Sequence, residues 1–307
     1  MTAALPPGIT LGGWAAREKQ LANLVLIGLP FAGAMLALWA LQYGPPRWTD
    51  LLAFVLFYIW SGLGVALGLH RLFTHRSFKP HPLIAALLYA GGTMAFQGSP
   101  LRWVLDHRRH HALVDRPGDV HSPWFSATGA PLSGLRGFGH AHLGWMFDPA
   151  VTSEAVFGKG LRRDRMLMFF TRTHYLWLGA SLGLPWLLGW SLGGPAAGWS
   201  ALLWGGCLRT TVLHNVVWSV NSFGHMTGRR THATGDLSTD NLWLALLTFG
   251  EGWHNGHHAS PRSYRHGLAP AQPDTNAAII RWLERRGLAA NLVTPADLQH
   301  HKDPNHA

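Results

Sequence analysis

Charged residues are scarce in this 307-residue sequence, and cysteine is almost absent. Asp, Glu, Lys and Arg together make up 13% of the chain, against roughly a quarter in ordinary soluble domains. The single cysteine, Cys207, excludes an intramolecular disulfide and a cysteine-ligated iron–sulfur cluster. No flavin or NAD fingerprint and no haem-binding cytochrome domain is recognisable. The composition therefore indicates a membrane protein, and any redox chemistry in it needs electrons from outside the chain.

Long apolar runs are what the sequence has instead. Four of them approach the roughly 20 residues that a helix needs to cross a bilayer, namely residues 21–41, 51–69, 175–192 and 199–220. They predict an all-α, integral membrane protein with four transmembrane helices. The first run follows Arg17, Glu18 and Lys19 and is too long for the core of a signal peptide, so we expect a retained anchor.

The distribution of basic residues predicts the orientation of these helices. Of the 25 Lys and Arg residues, only Arg47 lies in the two short loops, 42–50 and 193–198. The positive-inside rule therefore places both termini and the segments 70–173 and 221–307 in the cytosol. These segments would form a helical cap on one membrane domain that spans residues 1–307. The net charge of +10 suits anionic lipid headgroups or acidic acyl carriers, and no nucleic-acid motif accompanies it.

Nine of the 20 histidines form a pattern of boxes. The pattern reads His70-x4-His75, His107-x2-His110-His111, His225, and His254-x2-His257-His258. Two H-x2-H-H boxes in one chain are rarely a chance result, whereas H-x4-H alone carries little weight. Residues at i, i+3 and i+4 share one face of a helix, so each H-x2-H-H box is predicted to aim three imidazoles at one point. The pair Asn221 and His225 repeats this spacing at the end of the fourth run.

The first box has a different spacing. His70 and His75 lie about 140° apart on a straight α-helix. We therefore expect His70 on the last turn of the second membrane helix and His75 just beyond it. All boxes must lie on one side of the membrane to share metals, so the shorter apolar stretch 82–96 is predicted to be an interfacial or shallow re-entrant helix.

The number of imidazoles implies two metal ions. Eight or nine histidines exceed the three or four protein ligands of a typical zinc site. Imidazole suits zinc, copper, iron and nickel, so ligand type alone leaves the metal open. The remaining histidines, including His121, fit solvated or hydrogen-bonded structural positions.

Five motifs resemble one known family. GLHRLFTHRSF, TMAFQ, DHRRHH, VNSFGH and GEGWHNGHH resemble the stearoyl-CoA desaturase family of integral-membrane acyl desaturases, and PRSYRHG is similar to its bacterial members. The resemblance covers residues from about 64 to 267. It implies two irons bound by the nine histidines and, through water, by Asn221. It also implies a bacterial inner-membrane enzyme that inserts a cis double bond into a saturated acyl chain, using O2 and an external ferredoxin, rubredoxin or cytochrome.

The resemblance also implies where the substrate binds. Residues matching Gln97, Trp103 and Trp218 line the bend of a narrow tunnel in the family, which would hold one C–C bond beside the metals. Asp106 and Arg209 also match family positions, and we include both among the predicted substrate-binding residues. A charge inside a membrane helix, such as that of Arg209, is costly and usually functional.

Two further predictions concern the groups around the metals and the acyl carrier. Asp106, Asp119 and Glu251 are predicted to accept hydrogen bonds from the ligand imidazoles, with ordinary salt bridges as the alternative. Gly98 and Leu105 stand where animal acyl-CoA enzymes have an Asn and an Arg that contact CoA. This departure predicts that acyl carrier protein or a membrane lipid serves at least as readily as CoA.

Two other functions fit part of the sequence. A di-iron hydroxylase would have the same boxes, because box spacing does not decide whether oxygen returns to the carbon. A histidine-rich metal transporter would need ionisable ligands at mid-bilayer depth in several helices. The boxes here lie at helix ends or in the cap, so the sequence favours the desaturase.

Overall fold

The computed structural model describes residues 5–300 and is built almost entirely of helices. The two ends of the predicted domain, residues 1–4 and 301–307, lie outside the described residues. The α-helices in the described part are α1 (Gly13–Trp39), α2 (Trp48–Leu63), α3 (Pro82–Thr93), α4 (Pro100–Leu113), α5 (Gly134–His142), α6 (Glu154–Phe157), α7 (Arg165–Arg172), α8 (His174–Ala201), α9 (Arg209–Met226), α10 (Leu242–Leu247), α11 (His254–Ala259), α12 (Thr275–Arg285) and α13 (Pro295–His300).

Two helical segments are wound as wide π-helices. Gly64–Thr74 continues α2, and Leu202–Leu208 joins α8 to α9. Hydrogen bonds in a π-helix run between residues five apart, and such turns frequently mark functional sites. The backbone N–H of His75 accordingly donates to the carbonyl of His70, at 3.2 Å. The π-helix thus brings the two histidines of the first box onto one face, which a straight α-helix would not do.

Two helical stretches in the described residues have the length and apolar composition of a membrane span. They are Gly13–Tyr43 and Trp48–Thr74, and they contain the first two predicted spans. The other two predicted spans are helical but are not among these candidates. In this part of the chain α8 is interrupted at Gly194, whose φ of 78° and ψ of −173° end one helix and begin the next.

Helix α3 packs against the π-helix that follows α2. It has 12 residues and is therefore roughly 18 Å long, too short to cross the hydrocarbon core. The contact is backbone to backbone, because a Cβ added at Gly64 would lie 2.0 Å from the backbone nitrogen of Gly92. Any side chain at Gly64 would push α3 away from the first histidine box.

Arg209 joins four helices in the interior. Its side chain is completely buried. The guanidinium donates to Ser61 Oγ at 3.1 Å, to the Met94 carbonyl at 3.4 Å, and to the carbonyl and hydroxyl of Ser181 at 3.1 and 2.7 Å. These acceptors belong to α2, the end of α3 and α8, so Arg209 fixes the packing of these helices around α9.

Two short antiparallel strand pairs fasten the cap. Strand β1 (Ile9–Leu11) pairs with β3 (Ala150–Thr152), and β2 (Lys79–Pro80) pairs with β4 (Ala289–Ala290). The first pair ties the segment before α1 to the middle of the cap. The second ties the segment after the first histidine box to the C-terminal region. Both pairs therefore restrain elements that surround the histidines.

Candidate metal centre

Four elements bring the nine box histidines into the two largest groups of potential metal ligands in the described part of the chain. The first group contains five imidazoles, from His70, His75, His107, His111 and His257. The second contains four, from His110, His225, His254 and His258. Within each group the ligand atoms all lie within 4.8 Å of one another. The π-helix after α2, α4, the end of α9 and α11 supply these residues.

Each H-x2-H-H box is divided between the two groups. In α4, His107 and His111 face the first group and His110 faces the second. The prediction that each box aims three imidazoles at one point is therefore wrong. Residues i and i+4 lie about 40° apart on a helix, whereas i+3 lies about 60° away on the other side of i. The pair at i and i+4 thus faces one centre and the residue at i+3 faces the other, and α11 repeats this arrangement.

The ring nitrogens within each group have the spacing of ligands on one metal ion. In the first group the Nε2 atom of His107 lies 3.0 Å from that of His75 and 3.1 Å from that of His111. In the second, the Nε2 atoms of His254 lie 3.0 Å from His225 and 3.1 Å from His258. Two nitrogens bound at right angles and roughly 2.1 Å from a metal would be roughly 3.0 Å apart. The donor sets therefore fit two metal ions.

Burial keeps at least five of the nine imidazoles in the form that binds metal. It lowers the pKa values of His107, His110, His111, His254 and His257 well below the usual value for histidine. Neutral histidine offers a lone pair to a metal, whereas protonated histidine does not. Several lone pairs that converge on one point repel each other unless a cation lies between them.

Four ligand histidines bond through Nδ1 to a carboxylate on the side away from their group. His70 pairs with Glu251, and the other three pairs are His110 with Asp119 at 2.9 Å, His225 with Asp115 at 2.8 Å, and His258 with Asp236 at 3.1 Å. Such bonds fix the tautomer that points Nε2 at the metal. The four carboxylates also supply buried negative charge, which the neutral imidazoles do not.

The carboxylates have strongly shifted pKa values. Burial alone would raise the pKa of Glu251, but its interactions with His266, His70 and Arg71 more than offset this effect and hold the pKa well below the usual range. Burial, with the charge of Asp115, raises the pKa of Asp119 to about 7. A cation bound by the histidines would favour the ionised form of each carboxylate.

Arg71 holds Glu251 in place. Its side chain is completely buried. The Nη2 atom donates to Glu251 Oε1 at 2.9 Å and to Asp274 Oδ1 at 3.2 Å, and Nη1 donates to the Tyr264 carbonyl at 2.6 Å. Asn276 Nδ2 also donates to Glu251 Oε1, at 3.0 Å. The segment 264–276 therefore orients His70 through Glu251.

Only two of the four carboxylate partners were predicted from the sequence. Asp119 and Glu251 bond to ligand histidines as predicted, but Asp106 does not: it bonds to Thr152 and forms an ion pair with Arg102 at 3.5 Å. Asp115 and Asp236 were missed. Their one sequence signal is their position in polar loops, Asp115 four residues after the second box and Asp236 eleven residues after His225.

Two histidines outside the boxes also adjoin the groups. His121 is buried rather than solvated, and its ring centroid lies 4.3 Å from that of His110. His266 is completely buried, 4.4 Å from the His257 ring, with its Nδ1 3.5 Å from Glu251 Oε1. Neither has box spacing, and His266 was marked only by its place in the PRSYRHG motif.

Two cavities meet at the histidines. The α2-side cavity extends along Gly62, Val65 and Leu213. The α1-side cavity extends between α1 and α9, along Ile27 and Trp218. Five residues contribute to both walls: Trp103, His107, His121, Val217 and Asn221. The two cavities therefore adjoin beside the metal-ligand groups, and we refer to the pair as the passage.

Four of the five predicted substrate-binding residues lie on this passage. Gln97, Trp103, Asp106 and Trp218 line the α1-side cavity, and the Trp103 ring stacks on His107 with centroids 5.0 Å apart. Arg209 lines neither cavity, and its bonds are to the protein. Its placement indicates that Arg209 stabilises helix packing rather than contacting the substrate.

Replacing Asp236 by Asn tests the role of the carboxylates. The variant keeps the shape but removes the charge that orients His258. We expect metal affinity or turnover to fall about 10- to 100-fold, measured by metal titration of the purified variant and by turnover. Asp297→Asn, a change on the exposed first turn of α13, is the matched control. Unchanged metal affinity and turnover in Asp236→Asn would show that the carboxylate does not tune the ligand.

Comparisons with known proteins agree with this geometry. A family model described as "Fatty acid desaturase" matches residues 46–281. A hex-5-enoyl acyl-carrier-protein acetylenase of Moorena producens is 35% identical over 269 residues, which are 87% of this chain and 84% of the relative. An sn-1 stearoyl-lipid 9-desaturase of Anabaena variabilis is 37% identical over 78% of this chain and 82% of the relative. An icosanoyl-CoA 5-desaturase of Limnanthes douglasii is 35% identical over 82% of this chain and 67% of the relative.

Proposed function

Because the chain belongs to the fatty acid desaturase family, we propose that it inserts a cis double bond into a saturated fatty acyl chain at a centre of two iron ions. Members of this family are oxidoreductases that act on fatty acyl chains. The observation that supports the two-metal centre best is the convergence of nine histidines into groups of five and four. Bound iron would supply an oxidant from O2 that can remove hydrogen from an unactivated C–H bond.

The residues of the chain position the reacting bond. We propose that the two cavities together hold the acyl chain and that the chain bends at Trp103, His121 and Asn221, which line both of them. An acyl chain offers no polar handle along its length, so the bend selects the C–C bond by shape. Asn221 lies four residues before His225 and lines both cavities. This position supports our proposal that Asn221 binds, through water, the metal held by the group that contains His225.

Product analysis tests this function against hydroxylation. We expect lipids of a host that expresses the chain to gain monounsaturated chains two mass units lighter than their saturated precursors. The matched control is the same host with the His254→Ala variant, which should lack these products. Chains 16 mass units heavier, without unsaturated products, would show a hydroxylase instead.

We also propose the membrane arrangement predicted from the sequence. Four spans would be formed by Gly13–Tyr43, Trp48–Thr74 and the helices on either side of Gly194, within one domain covering residues 1–307. Two helical stretches with the length and composition of spans, and the clustering of all boxes at one end of the helices, support this arrangement. The cap would lie on the cytosolic side of a bacterial inner membrane.

The acyl carrier is not fixed by the family. The relatives above are named for an acyl carrier protein, a lipid and a CoA thioester. Gly98 and Arg102 line the α1-side cavity, and Arg102 is paired with Asp106. An arginine engaged in this way is less available to CoA phosphates, which supports use of carrier protein or lipid at least as readily as CoA.

Electrons should come from a separate protein of ferredoxin, rubredoxin or cytochrome type. The sequence provides no recognisable site for a redox cofactor other than the histidine groups, and its basic charge suits an acidic donor. We expect no turnover from the purified chain with NADPH and O2, and turnover on adding a reduced ferredoxin and its reductase. Turnover with NADPH and O2 alone would contradict this requirement.

A further inference from the structure

The outer side of the α1-side cavity is closed by one segment of the cap. Residues 134–147, which we name the strap, comprise α5 and the 3₁₀ turn Gly144–Phe147. The strap reaches from α9 to α1, and Trp145 and Met146 form part of the cavity wall. It therefore separates the cavity from the surroundings of the two helices.

Side-chain hydrogen bonds hold the strap at both ends. On α9, the ring nitrogens of His142 bond to Ser222 Oγ at 3.0 Å and to Asn215 Oδ1 at 3.2 Å. On α1, Gln20 Nε2 donates to the Phe147 carbonyl at 2.6 Å and Asn23 Nδ2 donates to the Met146 carbonyl at 2.9 Å. Lys19 Nζ also donates to the Trp145 carbonyl, at 3.4 Å. The α1 edge is thus a seam of single hydrogen bonds from α1 side chains to strap carbonyls, and breaking them would leave the backbone hydrogen bonds of α1 and α5 intact.

The strap covers a fork between α1 and the helix that ends in α9. Near Gly33 the two helices touch, because a Cβ added there would lie 2.4 Å from Cys207 Sγ. Nearer the cap both line the cavity, α1 through Ile27 and α9 through Trp218. The cavity fills the space where the helices diverge, so opening the seam would expose the acyl passage sideways.

The outer surface of the strap carries large apolar side chains beside an exposed cation, Arg136. Leu135 is 90% exposed, Leu143 38% and Phe147 37%, beside Phe223 of α9, which is 42% exposed. The Phe138 ring contacts Phe223 edge to face, with centroids 5.0 Å apart. An exposed apolar helix beside membrane spans is typical of an element that lies in the bilayer interface.

The two cations that line the cavity, Lys19 and Arg102, are already paired within the protein. Lys19 Nζ donates to the Ala150 carbonyl at 2.8 Å, and Arg102 bonds to the Thr152 carbonyl at 3.2 Å and to Asp106 at 3.5 Å. A phosphate-rich soluble carrier would have to compete with these partners for each cation. A lipid arriving from the bilayer would not.

We propose that the acyl chain enters sideways from the bilayer, still esterified in a membrane glycerolipid, when the α1 edge of the strap lifts from the fork. This inference rests on the proposed function, since it takes the α1-side cavity as part of the acyl site. The polar lipid headgroup would stay at the interface beside Lys19 while the chain passes between α1 and α9.

A reversible cross-link tests this route. Gln20→Cys combined with Phe147→Cys places thiols across the seam, and the one native cysteine, Cys207, is buried. The two introduced thiols of the purified protein are cross-linked with a bifunctional methanethiosulfonate. The cross-linked protein is then assayed in vesicles of phosphatidylglycerol that carries saturated acyl chains. The same saturated acyl group is offered separately as its CoA thioester and its carrier-protein thioester. Reduced ferredoxin is the electron donor in each assay. We expect cross-linking to lower lipid turnover at least about tenfold, with smaller losses on a thioester, and reductant to restore it.

Controls separate the route from the chemistry. Each single-cysteine variant with the same reagent should keep its lipid turnover, as should Arg281→Cys with Glu284→Cys, a pair joined on α12. Undiminished lipid turnover in the cross-linked enzyme would overturn the route, as would equal losses on lipid and thioester. An enzyme that desaturates no carrier even before cross-linking would instead overturn the proposed function, and the route with it.

Discussion

Replacing His254 by Ala is expected to lower turnover on the order of 1,000-fold or more, because a metal ligand contributes several kcal/mol to the reaction it supports. The Nε2 atom of His254 lies 3.0 Å from that of His225 and 3.1 Å from that of His258. Removing it takes one of four donors from the second group. The purified variant should also hold about one metal ion fewer than the unmodified chain, measured in the same detergent.

A matched histidine outside both groups provides the control. His81 is exposed at the start of α3, and His81→Ala should leave the metal content unchanged. The ligands His107, His111 and His258 should behave like His254. Full activity in any of these alanine variants would remove that residue from the metal centre.

Replacing Arg71 by Leu should destabilise the protein more than any surface substitution. The change leaves Glu251 and Asp274 buried without their cation, and removing one partner of a buried pair costs about 3–5 kcal/mol. For a chain of this size, that corresponds to a fall of roughly 10 °C in the apparent unfolding midpoint. Thermal unfolding in detergent measures it, and metal content should fall as well because Glu251 orients His70.

Arg281 serves as the comparison for that variant. It lies on the surface of α12 in an exposed ion pair with Glu284, and such pairs contribute about 0–1 kcal/mol. Arg281→Leu should therefore leave the midpoint within about 2 °C. An equal midpoint for Arg71→Leu and Arg281→Leu would show that the Arg71 network does not stabilise the centre.

The sequence was sufficient to predict that the box histidines converge, because helical spacing and histidine frequency are local properties. The sequence was insufficient to predict how the histidines of each H-x2-H-H box are divided between the two groups. That division depends on the 100° between positions i+3 and i+4 and on the direction of each neighbouring helix. The π-helical geometry that brings His70 and His75 onto one face was also not predicted from their spacing.

The carboxylate partners show a different limit. Asp115 and Asp236 come from loops, and their partners lie 110 and 22 residues away along the chain. Spacing gives no signal for such contacts, which depend on how the cap folds over the helices. The role of Arg209 was likewise not predictable from spacing. Its acceptors on three other elements explain its burial better than a substrate contact does.

Metal analysis of active, purified protein tests the two-iron centre most directly. The histidines are divided into groups of five and four, so each chain should hold close to two metal ions, and both should be iron. The measurement is inductively coupled plasma mass spectrometry on protein whose turnover has been determined in the same preparation and whose affinity tag has been removed. Close to two equivalents of iron, rising and falling with activity, is the predicted result. Full activity with one equivalent of metal, or with stoichiometric zinc and little iron, would contradict the account.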